Sequence, residues 1–118
     1  MKKVISLILI LVITITLTAC DSEKNNKDAL SFKKEYESLN GKKNKKGTEY
    51  RELDIDDENS YVKVSAEKIV EMINNKGTFY LYVGDSMCPW CRSVLEKSIE
   101  VARDNDIEKI YYIEIWDD

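Results

Sequence analysis

Cys88-Pro89-Trp90-Cys91 is the run with the most chemistry in this chain. Thiols three positions apart at the start of a helix share one face of its first turn, so their sulfurs can meet without distorting the backbone. The unpaired N–H groups of that turn also stabilise a thiolate. The pair is therefore expected to work as a dithiol–disulfide couple. Cys88 at the N-cap would be the attacking thiolate and Cys91, one turn behind, the resolving thiol. Pro89 suits the first helical position, where a missing N–H costs no hydrogen bond. Trp90 is expected to offer an apolar surface to an unfolded substrate. The helix terminus supplies roughly 1 kcal/mol, about one unit of thiol acidity. The chain has no histidine, so further activation must come from backbone N–H donors or from Arg92. A structural disulfide is a weaker reading, because so small a loop stabilises little. Half of a zinc site would need a second pair of ligands from another chain. No metal and no cofactor is expected.

The third cysteine has another setting. Met1-Lys2-Lys3 precedes an apolar run from Val4 to Thr18, which is short against the roughly 20 residues that span a bilayer. The run ends in Leu17-Thr18-Ala19-Cys20, which resembles the bacterial lipobox, whose cysteine is acylated on sulfur and becomes the new N-terminus. Residues 1–19 are thus expected to be a lipoprotein signal peptide and Cys20 the lipidation site. An uncleaved anchor or an ordinary signal peptide is the alternative. Each places the remainder outside the cytoplasm, at the extracytoplasmic face of a bacterial membrane, where a cysteine pair suits the oxidising conditions.

The 118 residues carry a formal charge of −4, and losing residues 1–19 removes Lys2 and Lys3 and no acid, giving −6. An acidic product argues against nucleic acid as a partner. The absence of histidine excludes His-based acid–base catalysis and most metal sites. Asp54, Asp56, Asp57 and Glu58 fail the EF-hand spacing, because Asn59 and Ser65 occupy the positions that need Gly and Glu.

The elements that must hold the pair are legible as periodicities. Residues 20–47 read as a tether with a short helix over Ala29–Leu39, capped by Asp28, with Phe32, Tyr36 and Leu39 on one face and Gly41 at its end. Lys42 to Lys46 reads as a solvated basic loop. From 48 to 118 the pattern is that of one packed domain. Tyr61–Val64 is a short strand, and Ser65 caps a helix with Ala66, Ile69, Val70 and Ile73 on one face and Gly77 past its end. Phe79–Val83 is a strand expected to be covered on both faces. Pro89 to about Arg103 is a helix with Val94, Leu95, Ile99 and Ala102 on its apolar stripe. Ile110–Ile115 is the third strand. This β-α-β-α-β order predicts an α/β fold with a mostly parallel sheet and right-handed crossovers.

A strand at 79–83, then Cys88-Pro89-Trp90-Cys91, then an amphipathic helix resembles the thioredoxin superfamily, with residues 61–116 matching the first half of its fold. The Pro-aromatic dipeptide is similar to that of glutaredoxins and bacterial disulfide oxidoreductases, and Cys-Pro-aromatic-Cys-Arg to small secreted bacteriocin-transport accessory proteins. The resemblance implies the nucleophile role for Cys88 and the resolving role for Cys91. Two departures stand out. Tyr82 occupies the position where the family often has a buried acid. The family's second half, with its cis-proline, has no counterpart, and the strand at 79–83 would pair with that half. Its outer edge is therefore expected to be open to a partner strand or to self-association.

The function expected is that of a membrane-anchored thiol–disulfide oxidoreductase acting on protein thiols and disulfides. The alternatives are a non-catalytic tethered binding or accessory module and a truncated thioredoxin-like fragment.

Overall fold

In a computed structural model of the protein, the structure describes residues 26–115. The stretch read as a signal peptide (1–19), Cys20 and the first part of the stretch read as a tether lie outside the described residues. Among the described residues no helix is long and apolar enough to cross a membrane.

Helix α1 covers residues 26–37. It starts ahead of Asp28, so that residue does not cap it. Strand β1 (Tyr61–Lys63), helix α2 (Ala66–Asn74), strand β2 (Tyr80–Gly84), helix α3 (Pro89–Asp104) and strand β3 (Ile110–Glu114) follow. The sheet is fully parallel in the order β1-β3-β2, so the strand last in sequence is central. The two crossovers run in opposite directions across the sheet. Right-handed connections therefore place α2 on one face and α3 on the other.

The packed face is the α3 side. Tyr61 and Tyr112 point into it with Leu95 and Ile99 of α3 and Phe32 and Tyr36 of α1. The Phe32 ring stacks on Tyr61 at 4.2 Å and meets Tyr112 edge-on at 5.1 Å. Such pairs contribute about 0.5–1.5 kcal/mol each beyond their burial. Leu53 and Ile55 close the cluster from the extended segment ahead of β1. The buried Asn59 side chain donates to the carbonyls of Ala29 and Asp56 and accepts the N–H of Tyr61. The packed unit thus reaches back to Ala29, well into the stretch read as a tether.

The α2 side is loose. Ser65 caps the helix by accepting the N–H of Lys68 at 3.3 Å, but α2 buries only Ile69, and Val70 and Ile73 are exposed. The strand expected to be covered on both faces is not: Leu81 and Val83 remain exposed, Val83 at 52%. The cause is topological. β2 lies at the sheet's edge, and α2, which buries only Ile69, leaves its outer face uncovered. Val94 also leaves the expected apolar stripe of α3 and is exposed. Past α2, the left-handed residue is Lys76 (φ 53°) rather than Gly77.

Candidate functional site

The site is built where β2 turns into α3. The turn is closed by Cys88 N–H donating to Asp85 O at 3.2 Å and by Met87 N–H donating to the Asp85 carboxylate at 2.7 Å. Side-chain closure of this kind is what Asp does well in turns. Cys88 is the N-cap of α3, in extended conformation, with Pro89 at the first position. Its carbonyl accepts the Arg92 N–H at 3.0 Å, the first bond of the helix. Cys88 and Cys91 are both free thiols and both partly buried. Trp90 between them is 82% exposed.

The Cys88 thiol is held below its ordinary range. The largest cause is the backbone N–H of Cys91 turned toward it; burial opposes this, and the Cys91 side chain and Trp90 N–H add to the lowering. The Asp85 carboxylate works the other way. This is how a helix N-terminus stabilises a thiolate.

Arg92 takes no part in that lowering. Its side chain is fully buried and its guanidinium faces a cage of neutral oxygens. Nε donates to Arg51 O at 2.8 Å, one terminal nitrogen to Tyr36 O at 2.7 Å and Ser86 O at 3.2 Å, and the other to Asn40 Oδ1 at 2.9 Å. Burial pulls its pKa down. The same Asn40 pairs with the backbone of Leu53 in both directions. Arg92 therefore fastens the loop before Cys88 to α1 and to the segment near Arg51. Sequence reasoning left its role open, although positions 92, 95, 99 and 102 are in phase on the buried face of α3.

Beneath the pair lies a layer of tyrosines. Tyr82 stands in register with Tyr112 across the sheet, their rings 5.7 Å apart, and its hydroxyl lies against Cys91 and Tyr36. The Tyr36 and Tyr82 hydroxyls are buried without completing a hydrogen bond, whereas Tyr112 donates to Glu35 at 2.8 Å. Desolvation pushes all three phenols far up, so they stay neutral. The position of the resemblance's buried acid thus holds a neutral hydroxyl. Gly84 is required by this arrangement, because a Cβ there would lie 2.6–2.7 Å from the Tyr82 ring and hydroxyl.

The basic stretch Lys42–Lys46 is folded against the site. Lys43 bridges Glu49 in antiparallel fashion, and Tyr50 N–H donates to Lys42 O at 3.0 Å. The Asn44 side chain accepts the N–H groups of Lys46 and Thr48, and Gly47 supplies the left-handed turn at φ 81°. The Tyr50 ring lies under the Arg92 guanidinium at 5.7 Å. Lys43, Lys45, Lys46, Tyr50, Met87 and Pro89 line a cavity of about 570 Å³ beside Cys88. This side is not legible in the sequence, because nothing in a run of lysines says what it folds against. A separate cavity of about 410 Å³ between the 54–56 segment and α3 includes neither cysteine.

Of the residues singled out in the sequence, Cys88, Pro89, Trp90 and Cys91 come together on the first turn of α3, while Cys20 lies outside the described residues. Against known proteins, the chain matches no family model, no curated sequence and no solved structure.

Proposed function

We propose that the protein is a lipid-anchored, extracytoplasmic thiol–disulfide oxidoreductase with a thioredoxin-like first half, acting on protein disulfides through Cys88 and Cys91. The observation that carries this reading is the Cys88 thiol, lowered by the N–H groups of its own helix turn, with a second thiol one turn behind. The β1-β3-β2 order, with β2 at the edge, agrees with the arrangement the resemblance implies. In the reductive direction, the Cys88 thiolate attacks one sulfur of a substrate disulfide. A mixed disulfide forms and the other substrate sulfur leaves as a thiolate, taking a proton from water. Cys91 then loses its proton and attacks Cys88 Sγ, the second substrate thiolate leaves, and the protein carries the disulfide. The reverse sequence oxidises a substrate dithiol. In the full chain, Cys91→Ser should accumulate disulfide-linked partners that a reductant releases, and Cys88→Ser should not. Equal capture by both variants, resistant to reductant, sinks the reading.

The rival reading is a tethered binding module. The exposed apolar residues of β2 and α2 favour it, since an uncharged edge strand without proline recruits other strands. The same exposure supports a sheet-edge partner or self-association through residues 79–83. Partners retained by a chain lacking both thiols would place the rival first.

A further inference from the structure

The cavity beside Cys88 has a composition that selects a ligand. Its lining has an apolar part, Tyr50, Met87 and Pro89, which we call the floor, and a polar part, Lys43, Asn44, Lys45 and Lys46, which we call the rim. Met87 and Pro89 are the two chain neighbours of Cys88, so a ligand on that floor lies within a residue or two of the reactive sulfur. The rim is held in shape. The Asn44 side chain accepts two backbone N–H groups, at 2.9 and 3.0 Å, and Gly47 N–H donates back to Asn44 O at 2.9 Å. Among the described residues, Lys43 of the three rim lysines pairs with an acid, Glu49 at 3.5 Å. This positive rim sits on a chain whose formal charge is −4. The net charge repels an acidic partner, and the lysine rim attracts it locally.

We propose that this groove docks an acidic, extended polypeptide segment bearing the disulfide that Cys88 attacks, with an apolar side chain on Met87, Pro89 and Tyr50 and carboxylates on Lys45 and Lys46. The proposal rests on the oxidoreductase reading and names its substrate class. The chemistry of the floor favours a peptide over a phospholipid surface. An apolar floor adjoining a thiolate suits a side chain next to a cystine, whereas lipid headgroups need only the charges.

The test compares two synthetic disulfide-linked peptides, one flanked by Asp and Glu and one by Ser and Gln. Each reacts in single turnover with the reduced full chain in non-ionic detergent, at low and at high salt. The acidic peptide should react faster by about tenfold at low ionic strength, and the advantage should fade as screening shortens the reach of the rim. In Lys45→Glu/Lys46→Glu the ratio of acidic to neutral rates should invert. Both lysines are exposed, so the exchange does not disturb the core. Equal rates for the two peptides, or a preference that survives the charge reversal, overturns the groove.

A cysteine-free acidic peptide, titrated against the tryptophan fluorescence of the chain, separates the two claims. Binding that the charge reversal abolishes, without exchange on any disulfide, keeps the groove and sinks the oxidoreductase. Exchange with no binding of this peptide sinks the groove alone. Tight binding to vesicles containing phosphatidylglycerol, with none to the peptide, assigns the rim to membrane contact and overturns the proposal.

Discussion

At the scale of single residues, the site depends on what surrounds one sulfur. The groups that lower the Cys88 thiol are backbone N–H donors of its own turn, chiefly that of Cys91, and the group that opposes them is the Asp85 carboxylate. Asp85→Asn keeps an oxygen to accept the Met87 N–H and removes the charge. The midpoint of Cys88 alkylation against pH should therefore move to lower pH, and a midpoint that stays in place or rises shows that the carboxylate does not act on the thiol. The sign for stability follows from the same shift. A thiol lowered in the folded state stabilises the reduced chain fully above the ordinary thiol pKa, and loses that contribution as pH falls through the folded value. The melting temperature of the reduced chain relative to the oxidised one should accordingly rise with pH across that window.

At the scale of elements, Arg92 ties the site together. Five donors on a planar fork reach oxygens on α1, on the Arg51 segment and on the loop before Cys88, a geometry that a lysine cannot reproduce. Arg92→Lys should leave several buried carbonyls unpaired. At about 1–3 kcal/mol for each uncompensated group, thermal unfolding should show a loss of several kcal/mol. A variant that melts with the wild type would mean that water replaces the guanidinium. How far this scale was legible is shown by α3. Its extent and the buried Leu95, Ile99 and Ala102 followed from spacing, and so did the place of the cysteines on its first turn. The cage around Arg92 did not, because all its acceptors but the Asn40 side chain are main-chain oxygens, up to 56 residues away, and main-chain oxygens leave no mark on a sequence.

At the scale of the molecule, one side is packed and the other is open. The α3 side holds Phe32, Tyr36, Tyr61 and Tyr112 in one cluster, while β2 and α2 leave Leu81, Val83, Val70 and Ile73 exposed, Ile73 at 58%. An edge of this kind carries none of the charges or prolines that block strand pairing. Sedimentation of the full chain in detergent should show concentration-dependent association, weakened by Val83→Lys, since an edge lysine is a natural blocking device. A wild-type chain that stays monomeric over the accessible concentrations removes the edge from consideration.

The sequence by itself determined the order of strands and helices, the parallel sheet and the seating of Cys88 and Cys91 at a helix start. These depend on local periodicity and on capping, which act over a few neighbouring residues. Only the tertiary structure decided that α1 belongs to the core, that the outer face of β2 is left uncovered, that Arg92 serves the scaffold rather than the thiolate, and that the lysine run folds into a rim beside Cys88. Each of these depends on which segments, far apart in the chain, meet or fail to meet. Burial at such a contact is a property of the whole packing, and no window of residues encodes it.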